Sequence, residues 1–169
     1  QRNLYMKDVP NRHVLLVAGC MPPCMLGDYA IPSCDWRWYY SDNAFALQGL
    51  RRFADVLTEL DPEAGRKYSD EANAFRRDIL RAVERETVLS PVRLGRDGMY
   101  RSFIPATAYT RGAMINLEFG APQRPQTDIL IGALPLAEPF AAMDANDSRM
   151  VGTLNVMEEA GISPDVTAH

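Results

Sequence analysis

SDNAFALQGLRRFADVLTELDPEAGRKYSDEANAFRRDILRAVERE, Ser41 to Glu86, carries the periodicity that decides the fold. From Asp42 onward the apolar residues Ala46, Leu50, Phe53, Leu57 and Leu60 recur at steps of four, three, four and three, the face of an amphipathic helix. Ser41 stands where an N-cap belongs, Tyr40 before it is placed to pack on Phe45 as a hydrophobic staple, and Asp42 in the first turn complements the helix dipole. Asp61-Pro62 ends this helix and opens another, with Asp as cap and Pro at the first helical position. The second pattern runs through Tyr68, Ala72, Phe75, Ile79 and Val83. Glu71, Arg76, Arg77, Asp78, Arg81, Glu84, Arg85 and Glu86 form its polar face. So short a connection predicts an antiparallel αα-hairpin.

Beyond this pair the period changes. In SPVRLGRDGMYRSFIP, Ser90 to Pro105, Val92 and Leu94 alternate on one side of Gly95-Arg-Asp-Gly98, and Met99 or Tyr100 with Phe103 on the other, so a small β-hairpin is expected near 91–104. Residues 106–126 are glycine- and proline-broken and read as loop. Thr127 caps a helix through Asp128, Ile131 and Leu134 that Pro135 ends or kinks. Phe140 to Asn146 is a connector, and Asn146 or Asp147 caps a last helix carrying Met150, Leu154 and Met157, closed by Gly161. The expected class is all-α with one small β-hairpin, in a single helical domain over residues 1–169.

Composition narrows the partners. The chain has 169 residues, 47% hydrophobic, with 22 acidic against 18 basic residues and a net charge of −4. No basic stripe with interleaved aromatics tracks a phosphate backbone, so nucleic acid is not expected. No apolar run approaches the roughly 20 residues that span a bilayer, so no membrane partner is expected either. G-x-S-x-G, P-loop, G-x-G-x-x-G and H-E-x-x-H patterns are absent, which removes the serine-nucleophile, phosphate-loop and dinucleotide classes. Cys20, Cys24 and Cys34 lie close together, yet the spacing of zinc sites is missing and His13 and His169 stand outside the group. Buried thiols are the simplest reading, with a disulfide or a metal site as alternatives; neither metal nor cofactor is expected.

Three stretches together resemble the six-hairpin glycosidases. They are PPCMLGDYAIPSCDWRWYYSDNAFALQGL (residues 22–50), SPVRLGRDGMYRSFIP followed by AYTRG (108–112), and MDANDSRMVGTLNVMEE (143–159). The resemblance runs from about Pro22 to Gly161 and implies helical hairpins of an (α/α)6 toroid, with carboxylate chemistry on glycosidic bonds and carbohydrate as partner. Twelve helices averaging about 12 residues, with connectors of about 5, need on the order of 200 residues. This chain has the patterns of five or six helices, so a partial toroid is expected. It would be completed by the remainder of a longer parent chain, as the start at Gln1 suggests, or by homo-oligomerisation.

Glycoside cleavage requires an acid that protonates the leaving oxygen and a second carboxylate, about 5–5.5 Å away for retention or about 6.5–9.5 Å for inversion. Asp28, Asp35 and Asp42 lie in or at the end of the aromatic, proline-broken loop that the resemblance turns toward the cavity, and they are the candidate catalytic carboxylates. Asp28 after Gly27 also suits an Asx-turn, and Asp42 suits a first helical turn. Asp35 has no such duty, and its neighbour Trp36 can desolvate the carboxyl and raise its pKa toward that of a general acid. Trp36, Trp38, Tyr39 and Tyr40 offer flat faces for a pyranose ring or, equally, for the core or a helix staple. Arg37 can hold an acidic sugar in a bidentate pair. Arg96-Asp97 reads as a turn, and Glu158-Glu159 as a solvated helix end. A helical scaffold whose loop binds a sugar or a protein is the alternative function.

Overall fold

The computed structural model of the chain describes residues 19–21, 39–89, 92–105, 133–137 and 142–159. Their regular structure is mainly helical, and the class is all-α. Helix α1 spans Tyr40–Leu60 and α2 spans Pro62–Leu89. Asp61 alone joins them. Its N–H donates to the Leu57 carbonyl at 2.6 Å, closing α1, while its Oδ1 accepts from the N–H groups of Glu63 and Ala64 at 3.1 Å each, opening α2. One residue is therefore C-cap and N-cap at once, which folds the helices back on each other. The Phe53 and Tyr68 rings, eight residues before and seven after this joint, meet edge-to-face with centroids 5.1 Å apart. Nearer the apex the backbones approach so closely that a Cβ on Gly65 would lie 2.4 Å from Thr58 Oγ1.

The start of α1 differs from expectation. Tyr39, extended at φ −73° and ψ 136°, occupies the cap position without a side-chain cap bond, and Ser41 lies inside the first turn, buried. Asn43 does the fastening instead: its Nδ2 donates to the Tyr39 carbonyl at 2.7 Å, and its Oδ1 accepts from the Met21 N–H at 2.8 Å. No Tyr40–Phe45 staple forms, because Tyr40 is buried in the core and Phe45 is 57% exposed.

The packed face of α1 is also not the one the periodicity selects. Tyr40, Asn43, Ala44, Leu47 and Ala54 are buried, whereas Phe53, Val56 and Leu60 are exposed. At about 100° per residue the two faces differ by roughly a quarter turn or slightly more. Small side chains at Ala44 and Ala54 let α1 lie close to its neighbours; of the predicted face Ala46 and Leu50 still pack against the core, half-buried, while Phe53 and Leu60 are exposed. In α2, Ala72, Phe75, Ile79 and Val83 are buried as the spacing predicts. Asp78 and Glu86, expected on the solvated face, are buried too; Asp78 accepts from Arg81 Nη2 at 2.9 Å.

Strands β1, Arg93–Leu94, and β2, Tyr100–Arg101, pair antiparallel in the expected hairpin, with Arg93 opposite Arg101 and Leu94 opposite Tyr100. The Gly98 N–H donates to the Gly95 carbonyl at 2.9 Å, so Arg96 and Asp97 occupy the centre of the turn, and Gly98 follows at φ 81°. Val92, Leu94, Met99 and Tyr100 are exposed, and burial begins only at Phe103 and Ile104. Of the helix expected from Thr127, the described part is a 3-10 turn at Leu134–Leu136 that includes Pro135. Both Ala142 and Met143 donate their N–H groups to the Leu136 carbonyl at 2.9 Å.

Helix α3 spans Ser148–Glu159. Asp147 caps it through a 2.9 Å bond from the Arg149 N–H, the second of the two candidate caps. One apolar core draws on Cys20, Tyr40, Leu47, Phe75, Ile79, Val83, Ile104, Leu136, Met143 and Met150. It thus joins the α1–α2 hairpin to the second half of the chain. No helix among the described residues is long and apolar enough to cross a membrane. Residues 106–126, the cap at Thr127 and Gly161 lie outside the described residues.

Candidate functional site

Two places bear on function, and the first is the N-terminal end of α1. Asp42 sits in its first turn, as expected, where negative charge complements the exposed N–H groups. Tyr39, of the aromatic run, is 3% exposed. Its ring is packed within the protein, and its carbonyl is gripped by Asn43. Asp28, Asp35, Trp36, Arg37 and Trp38 lie outside the described residues.

The second place lies between the β-hairpin tip and α3. Arg96, Asp97 and Arg101 from the hairpin, and Asn155 and Glu158 from α3, line a cleft of about 280 Å³. Its walls are held together just below. The Ile104 N–H donates to Thr153 Oγ1 at 2.8 Å, and Thr153 Oγ1 donates in turn to the Arg149 carbonyl at 2.7 Å. One residue before, a Cβ on Gly152 would lie 2.0 Å from the Ser102 carbonyl oxygen, so only glycine permits this approach of strand and helix. Phe103 and Val156 pack together beside the same seam.

Within the cleft Asp97 faces two duties. Its Oδ1 accepts from the Met99 N–H at 3.0 Å, completing the turn, and from Arg101 Nη1 at 2.8 Å; its Oδ2 accepts from Arg101 Nη2. The Arg101 guanidinium first, and the Met99 N–H second, hold the Asp97 carboxyl well below the usual carboxylate range. Asp97 is thus an ionised acceptor at neutral pH and is unsuited to donate a proton. The turn reading of Arg96-Asp97 is right as far as it goes. What it misses is the wall contributed by Asn155 and Glu158, which neither spacing nor composition relates to the hairpin.

Asp147 and Arg149 form a second fork, with Nε donating to Oδ1 at 2.8 Å and Nη2 to Oδ2 at 2.7 Å. The Arg149 bonds hold the Asp147 carboxyl below its ordinary range, and Glu84 of α2 adds to the field that keeps Arg149 charged. Among the described residues no three His, Cys, Asp or Glu side chains are grouped to hold a metal ion. Cys20 is buried in the core, while Cys24 and Cys34 lie outside the described residues. Comparison with family models, curated proteins and solved structures finds no match to this chain.

Proposed function

We propose that the chain is part of a carbohydrate-acting catalytic domain built from helical hairpins of a partial (α/α)6 toroid, cleaving or binding glycosides by carboxylate acid/base chemistry. The observation that carries this reading is the fastening of the α1 start. Asn43 ties the Tyr39 carbonyl to Met21, so the run Asp35–Tyr39 ends on a rigid helix rather than in a free loop. In this reading Asp35 is the general acid, Asp28 or Asp42 supplies the second carboxylate, and Trp36, Arg37 and Trp38 contact the sugar. Tyr39 contributes through its backbone anchorage. Hydrolysis of a panel of aryl glycosides tests it: Asp35→Ala with helicity retained should lose activity about 100-fold or more, as removal of a general acid does. Undiminished hydrolysis in that variant sinks the assignment.

A second reading, a non-catalytic helical scaffold, is favoured by the outer face of α1. Phe45, Phe53, Val56 and Leu60 are all at least half exposed along one side of that helix. Arg52 and Glu59 flank this stripe two turns apart, both exposed, so a second copy laid antiparallel sets each Arg52 against the other's Glu59. The occupant in this reading is therefore a second copy of the chain. Sedimentation equilibrium tests it through charge reversal. Arg52→Glu or Glu59→Arg alone should dissociate the dimer, and the two together should restore it; a monomer at all concentrations ends this reading.

A further inference from the structure

We infer that the cleft between the hairpin tip and α3 binds a neutral polyhydroxylated ring, a single saccharide unit. The inference rests on the carbohydrate reading above for its ligand class, but on different residues. Arg96 and Arg101 bring two positive charges, Asp97 and Glu158 two negative ones, and Asn155 both a donor and an acceptor. The lining is neutral in sum and mixed in kind. A phosphate or a uronate placed there meets a carboxylate as well as a guanidinium, whereas a sugar hydroxyl, donor and acceptor together, suits both. A volume of about 280 Å³ lies just below the usual range of small-molecule sites, the scale of one ring rather than a long oligomer.

Preorganisation points the same way. Asp97 holds the Arg101 guanidinium in a fork, so its orientation is set before a ligand arrives. The Ile104–Thr153 bond and the Gly152–Ser102 approach hold the opposite wall in register. The side chains of Asn155 and Glu158, one turn apart on α3, then present their polar ends along one edge of the ring.

Titration of the chain with glucose, galactose, mannose and xylose, and with glucuronate, galacturonate and inorganic phosphate, followed by amide chemical shifts, tests this. The neutral sugars should shift Gly98, Met99 and Asn155. Asn155→Ala, Glu158→Gln and Arg96→Ala should each weaken binding about tenfold, with thermal unfolding checking that each variant keeps its fold. Neutral sugars bound with unchanged affinity in these variants overturn the cleft and leave the carbohydrate reading standing. Preference for glucuronate, galacturonate or phosphate over the neutral sugars overturns the neutral-ring assignment. No shift with any neutral sugar also overturns it, and the glycoside panel with Asp35→Ala then decides the catalytic reading separately.

Discussion

Ile104 and Thr153, 49 residues apart in sequence, share a hydrogen bond in which the Ile104 N–H donates to a fully buried threonine hydroxyl. That bond, with the Gly152–Ser102 approach and the Phe103–Val156 packing, fixes how the β-hairpin sits on α3, and it satisfies a backbone donor that has no ladder partner. Thr153→Val keeps the shape and removes the acceptor, leaving the N–H buried and unpaired. We expect a loss of about 1–3 kcal/mol, read from urea unfolding. Thr153→Ser should retain most of the stability.

Gly152→Ala is expected to be worse than its size suggests. Its Cβ has nowhere to go, because the Ser102 carbonyl oxygen already occupies that space. Either the hairpin moves off α3 or the helix shifts, and overpacking of this kind costs about 1–3 kcal/mol. Loss of amide protection at Phe103 and Ile104, with α2 still protected, is the hydrogen-exchange signature to look for.

Leu47 and Phe53 distinguish the packed face of α1 from the one that hydropathy alone selects. Leu47 is fully buried and Phe53 is half exposed. Leu47→Ala should cost about 2–5 kcal/mol, while Phe53→Ala should cost clearly less, since half of its surface is already in solvent. Equal losses in thermal unfolding would contradict the face described.

The Asp147 carboxyl ties acid stability to α3. Its bonds from Arg149 lower its pKa on folding, so its contribution is complete above the unfolded aspartate value of about 3.9 and is lost as pH falls through the lower folded value. Asp147→Asn keeps a capping side chain but has no carboxylate to titrate. Its unfolding midpoint should therefore lie below that of the parent at neutral pH and converge with it in strong acid; a constant gap at every pH would refute the linkage.

These contrasts explain what could be read from the chain alone. Asp61-Pro62 is legible because capping and the missing proline N–H are local properties, visible over four residues. The buried stripe of α2 is legible because Phe75, Ile79 and Val83 are large apolar side chains that recur, with Ala72, at helical spacing. The face of α1 is not, since Phe53 and Leu60 raise the apolar count on one side while Ala44 and Ala54, which matter through smallness, raise it little. Burial of Asp78 and Glu86, and the convergence of Asn155 and Arg96 on one cleft, are products of tertiary approach and leave no periodic trace. Asp42 stands in its first turn as its neighbours indicate, whereas Tyr39 is recognisable as aromatic but not as buried.

The one-residue joint at Asp61 has a kinetic meaning. Pairs such as Phe53 with Tyr68 are near in sequence, so their loop-closure entropy is small, and the α1–α2 hairpin has low contact order on its own. The Ile104–Thr153 closure spans a far longer loop and gains nothing until the hairpin offers a surface. Folding should therefore proceed from α1 and α2 outward, with the cleft between the β-hairpin tip and α3 the last element to assemble and the first to open.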